Sequence, residues 1–193
     1  MKKTVNRLIM VLGILLIIAA AALLLFSQYV EKQAAEGIKQ DVTAILSVMP
    51  DVHAGAPDGR QNREMPVMEL NGTDFAGLIE VPSYHAVLPL GSAWDRREAS
   101  LHPCIYTGSM YDNSLIIGGS GSSGQLDFTD RISGGDLVTV TDMTGLRFSY
   151  LVYDVIRTKD VSYENLTAQD ADLILFSKAT YGTEYSLVLC KLK

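Results

Sequence analysis

The sequence predicts a mostly-β domain, a closed barrel with short helices, behind an apolar N-terminal helix. Three observations predict it. Nineteen consecutive residues near the start carry no charge, short β-branched runs recur from about residue 75 onward, and Gly, Pro, Asn and Asp separate those runs. The chain has 193 residues, 48% hydrophobic and 20% charged, which suits one compact domain plus an accessory segment.

The accessory segment comes first. Residues 8–26, LIMVLGILLIIAAAALLLF, have about the length a helix needs to cross a bilayer core of roughly 30 Å. Lys2, Lys3 and Arg7 precede the run, while Glu31 and Lys32 follow it with no net charge. The positive-inside rule then places the N-terminus in the cytoplasm and the rest of the chain outside the cell membrane, as a single-pass protein. A cleaved signal peptide is the alternative, since Ala19 to Ala22 are small, but LLLF follows them and the run exceeds a usual h-region.

The predicted organisation is a cytoplasmic tail at 1–7, a transmembrane signal anchor at 8–30, a juxtamembrane helix and linker at 31–64, and an extracellular domain at 65–193. Apolar Ala34, Ile38, Val42, Ile45 and Val48 fall near helical spacing, and Pro50 closes that helix. Gly, Pro and charge without periodicity mark residues 51–64 as the linker.

Charge and cysteine usage narrow the function classes. Beyond residue 30 lie thirteen cations and twenty-two acids, a net charge of −9 with no Lys/Arg cluster, which excludes a nucleic-acid partner of the usual kind. His53, His85 and His102 are scattered and form no metal-ligand spacing, so neither a metal nor any other cofactor is expected. Cys104 and Cys190 form no disulfide framework, and either one bridge or two buried thiols is expected of them.

The expected strands are GLIEV, AVLPL, SLIIGG, DLVTVTD, RFSYLVYDVIRT, DLILF and YSLVLCKL. The clearest hairpin is TDMTGLRFSYLVYDV, with Thr144 and Gly145 at its turn and Phe148, Tyr150 and Val152 alternating behind it. SYENLTAQDADL is polar and predicts a helical turn capped near Ser162 or Thr167. The order and spacing of these segments resemble a known family, the sortases, specifically class B-like sortases. FAGLIEVPSYHAVLPL resembles their opening strands, HPCIYTGSMYDNSLIIGG the segment leading to the catalytic histidine, and DADLILFSKATYG the strand ending in the nucleophilic cysteine. The resemblance covers about residues 70–193.

The resemblance implies a sortase-like barrel and a cysteine transpeptidase: a thiolate attacks a sorting-signal peptide, a histidine moves protons and an arginine steadies the oxyanion. All three positions depart from it. The histidine position falls on Ser120, or Gly119 if the register slips by one; the cysteine position on Lys178, or Ala179 from the other side; the arginine position on Ser186. A covalent route without its nucleophile is lost, so the expectation is a catalytically degenerate sortase-like protein. Its partners would be a sorting-signal peptide, a surface or pilin protein, or an active sortase. The alternatives are an active sortase, cysteine-type or using a Ser120/Lys178 pair, and a purely structural scaffold.

Other groups are weaker candidates. Cys190 lies near the C-terminus, past the point where a strand could supply an oxyanion donor. Cys104 and His102 sit two apart on an extended chain and share a face without having to meet. Arg147 and Arg157 read as surface arginines, and Phe148, Tyr150 and Tyr153 as barrel core and rim. GGSGSSG at 118–124 lacks the Lys and Ser/Thr of a phosphate loop and reads as a flexible replacement for a catalytic loop.

Overall fold

The computed structural model describes residues 2–55, 64–122, 124–179 and 182–193. Most of the predicted linker falls on residues 56–63, outside the described residues. The chain divides into two compact units, residues 1–36 and 37–193. In the first, helix α1 (Lys2–Val48) begins, so the predicted anchor and juxtamembrane helix are parts of one helix. Among the described residues no helix is long and apolar enough to cross a membrane. The side chains at 8, 9, 11 and 12 of the apolar run lie outside them, and those described from Ile14 to Phe26 are exposed.

The described residues of the second unit form ten strands: β1 (His53–Ala54), β2 (Met68–Leu70), β3 (Thr73–Val81), β4 (Ala86–Gly91), β5 (Cys104–Thr107), β6 (Leu115–Gly119), β7 (Leu137–Asp142), β8 (Leu146–Thr158), β9 (Leu173–Lys178) and β10 (Tyr185–Leu192). Eight of them close a ring. β8 pairs with β10, then follow β9, β6, β5, β4 and β3, and β7 joins β3 back to β8. Full closure leaves no free edge within the ring. The fold is therefore the mostly-β closed barrel with short helices that the sequence predicts. β1, β2 and β5 escape the sequence reading, because each is too short to show a period of two.

Alternation decides which side chains fill the barrel. Phe148, Tyr150 and Val152 of β8, Leu115 and Ile117 of β6, and Leu173 and Leu175 of β9 join one interior cluster. Their neighbours Ile116, Ile174 and Phe176 face outward into a second cluster, which Leu166 of helix α2 (Tyr163–Thr167) covers. Ser162 caps α2 by accepting from the Asn165 amide, whereas Thr167 is a helical residue. At the other side of the barrel, Ile45 of α1 is buried with Phe75, Leu78 and Met143 in a third cluster. Val48 ends the helix exposed, so the predicted apolar stripe stops at Ile45.

The two cysteines are free and fully buried. Cys104 on β5 and Cys190 on β10 are separated by β6 and β9, about 14 Å along the wall at ~4.8 Å per strand, beyond the reach of a disulfide. Of the two expected states, a bridge or two buried thiols, the structure shows the buried thiols and overturns the bridge.

Tyr150 is fully buried and its hydroxyl has no hydrogen-bond partner among the described residues. Tyr150→Phe removes an unsatisfied buried hydroxyl and keeps the ring. It should raise stability by about 1 kcal/mol, read as a higher urea midpoint with an unchanged m-value. A loss of similar size would show that the hydroxyl is satisfied in solution.

Candidate functional site

Two parallel strands set up the site. β6 and β9 run side by side with Gly119 opposite Ser177, so the next residue of each, Ser120 and Lys178, leaves the barrel at the same end. The loop after Ser120 then crosses the end of β9: a Cβ at Gly121 would stand 2.1 Å from the Lys178 carbonyl oxygen, so only glycine permits this approach. Ser120 and Lys178 both line one cleft of about 410 Å³. The structure brings these two candidate residues together.

Ser186 does not join them. Lys178 pairs with Tyr185, and Ser186 pairs with Ser177 on the opposite face of the sheet. Ser177 is buried and shares a 2.7 Å hydrogen bond with the Thr129 hydroxyl. Ser186 is equally buried and donates to Asp130, which also holds Arg157 at 3.3 Å. The β10 side chain facing the cleft is Tyr185. Ala179, the other reading of the cysteine position, is buried, while Gly119 lines the cleft.

The cleft has an aromatic floor that sequence reasoning missed. Trp94, Tyr106 and Phe176 pack as a mutual trio with ring centroids 5.5–5.6 Å apart. Gly118 makes room for it, since a Cβ there would stand 2.3 Å from Phe176 and 2.5 Å from Trp94. Phe176 comes from β9, Tyr106 from β5, and Trp94 from the loop at 92–103. The one available signal was that Trp94 is the only tryptophan in the chain, on a segment of turn and charge.

That loop is a wall with two different sides. Trp94, Arg96, Ala99 and Ser100 line the cleft, whereas Ser92, Asp95, Glu98 and His102 line a second pocket of about 350 Å³ with Glu69 and Asp74. Asp95 organises it by accepting from the Arg97 and Glu98 amides at 2.8 and 3.2 Å, and those bonds hold its carboxyl below the usual carboxylate range. Gln125, buried, ties the wall to the loop after β6: it donates to the Ser100 carbonyl at 2.7 Å and accepts from the Ser120 amide at 3.3 Å. The described residues of this loop are thus bonded in turns, with the Leu126 amide donating to the Ser120 carbonyl.

The chemistry available in the cleft is limited. Ser120 Oγ lies 2.5 Å from Ser122 Oγ and accepts from the Ser122 amide at 3.1 Å. Lys178 is exposed, and among the described residues no hydrogen bond joins it to Ser120. A serine without a base in contact is a poor nucleophile, and an exposed ammonium is a poor base.

His102 and Cys104, whose spacing left contact open, do meet. Cys104 Sγ lies 3.5 Å from His102 Nδ1, and His102 Nε2 lies 3.3 Å from Glu98 Oε2. The arrangement has the order of a catalytic triad but not the access. Cys104 is fully buried, and burial, with the Glu98 charge adding to it, pushes its thiol up to about 12. The His102–Glu98 contact is a close approach without hydrogen-bond alignment. Cys190 is likewise pushed up to about 12 by burial alone. Among the described residues no cluster of His, Cys, Asp and Glu could hold a metal.

Remaining candidates are structural. Arg147 pairs with Glu80 and donates to Thr141 Oγ1 at 3.0 Å. Phe148 and Tyr150 are core, Tyr153 is exposed and bonds the Asp170 carbonyl at 2.7 Å, and His85 is exposed in a left-handed turn at φ 50°.

No protein-family profile matches the chain, and no curated protein matches it. Solved structures do. Sortase C1 from Streptococcus agalactiae superposes with a TM-score of 0.54 and 21% identity, over 65% of this chain and 70% of that one. Sortase C from Clostridium perfringens SM101 gives 0.51 and 16% over 84% and 87%. Listeria monocytogenes sortase A gives 0.50 and 14% over 62% and 87%. These are sortases C and A, so the likeness does not single out the class B pattern that the sequence resembles. The barrel of this chain has the sortase fold.

Proposed function

We propose that the chain is a membrane-anchored, catalytically degenerate sortase-like protein at the outer cell surface. It binds a sorting-signal peptide, or a surface or pilin protein bearing one, and does not transfer it. The observation that carries this reading is the open aromatic cleft at the ends of β6 and β9, in which Ser120 and Lys178 occupy the positions that the resemblance assigns to histidine and cysteine. Both thiols of the chain are buried outside it. The open cleft also favours peptide binding over a pure scaffold. Anchoring rests on the apolar run at 8–26 and the exposed side chains from Ile14 to Phe26.

The test uses the full chain in detergent micelles with labelled LPxTG-like and NPxTN-like peptides and an amine acceptor. Binding without cleavage or transfer is the expected result. Turnover that disappears in Cys104→Ala, Cys190→Ala or Lys178→Ala would overturn the degenerate reading.

A further inference from the structure

Resting on that reading of the cleft as a peptide groove, we propose that it selects an acidic peptide: an extended segment carrying a carboxylate side chain next to an apolar one. The charge pattern points there. The chain beyond residue 30 carries a net charge of −9, a field that repels anions at long range. The described residues lining the cleft nevertheless include Arg96 and Lys178 and no Asp or Glu. On the other side of the same wall the second pocket is lined by Glu69, Asp74, Asp95 and Glu98. The loop at 92–103 separates the two signs of charge, and the cations fall on the cleft side.

These two cations are also uncommitted. Arg131, Arg147, Arg157 and Lys191 each meet a carboxylate. Among the described residues, neither Arg96 nor Lys178 has an ion-pair partner, and both are exposed. A peptide carboxylate would meet a guanidinium able to bind it through two parallel hydrogen bonds and an ammonium acting as a point charge. An adjacent apolar side chain would lie against the aromatic trio, which offers contact area but no hydrogen-bond specificity. A neutral peptide uses the floor only, and a basic one is repelled. Lys178 thus has a role at the position where the resemblance puts a nucleophile: it replaces an attacking group with a binding charge.

The experiment uses the full chain in detergent micelles and three peptides, Leu-Pro-X-Thr-Gly with X as Glu, Gln or Lys, followed by the fluorescence of Trp94, the only tryptophan in the chain. The Glu peptide should bind about 5-fold tighter than the Gln peptide, the scale of two exposed charge pairs, with the Lys peptide weakest. In about 0.5 M salt, where screening acts within a few ångströms, the preference should shrink towards equality. Arg96→Gln with Lys178→Gln should do the same at low salt, and Lys39→Gln on α1 should leave the preference intact. The salt series on the unaltered chain keeps the proposal falsifiable even if a variant does not fold. Equal affinity for Glu and Gln peptides overturns acid selection and leaves the peptide groove standing. Failure of all three to bind overturns the groove itself.

Discussion

Raising the pH from 8 to about 10.5 should cost the barrel about 4 kcal/mol of stability, through its two buried thiols. Burial pushes both Cys104 and Cys190 from an ordinary value near 9 up to about 12. Below pH 9 both states of the protein hold both protons, and the thiols contribute no pH dependence. Above it the unfolded chain releases them while the folded barrel keeps them, so stability falls by up to about 1.4 kcal/mol per pH unit per thiol until the folded thiols titrate near 12. The Tyr150 hydroxyl, also raised by burial and the Asp172 charge, adds to the loss above its ordinary value near 10. Urea unfolding at a series of pH values measures the slope. Cys104→Ala and Cys190→Ala should each remove about half of the loss between pH 8 and 10.5, whatever they cost at neutral pH. A wild-type profile flat to pH 10.5 would refute the buried, neutral state of the thiols.

The second large effect is expected at Asp142, which is fully buried at the turn between β7 and β8. One of its oxygens accepts from the Thr144 amide at 2.8 Å, the Thr144 hydroxyl at 2.7 Å and the Leu146 amide at 3.0 Å. The other accepts from the Tyr111 hydroxyl. The carboxylate therefore ties the hairpin turn to a core tyrosine, at the strand that closes the ring between β3 and β8. Asp142→Ala leaves these buried donors without their acceptor and should cost about 3–5 kcal/mol, at about 1–3 kcal/mol for each group left unsatisfied, seen as a lower urea midpoint. Asp142→Asn keeps an acceptor for the turn amides but offers an NH₂ where an acceptor stood, and should cost about half as much. Comparable stability for Asp142→Ala and wild type would mean that the turn holds without its buried carboxyl group.

Both predictions bear on the cleft, because the cleft is built on the barrel wall. Opening the ring at β7 or charging Cys104 behind the wall loop should blunt Trp94 fluorescence in step with unfolding.

The sequence by itself determined the barrel strands that are long enough to alternate. Phe148, Tyr150 and Val152 appear at every second position, and the turn at Thr144 and Gly145 follows from local backbone chemistry, Gly145 standing at φ 83°. The same locality allowed a helical turn capped at Ser162 or Thr167 to be read, and Ser162 is the cap. That Ser120 and Lys178 share a cleft was implied by the family resemblance and by no local pattern; the parallel pairing of β6 with β9 is what puts their strand ends side by side. What only the tertiary structure decided depends on register and on distant elements. Ser186 faces the side of Ser177 because β10 pairs with β9 in one register and not the next, and a shift of one residue inverts every side chain. The Cys104–Cys190 separation is a matter of strand order, which puts β6 and β9 between them. The aromatic trio draws on β5, β9 and the wall loop, and no period in the sequence encodes contacts among segments so far apart; His102 and Glu98, by contrast, stand four residues apart on one helical turn.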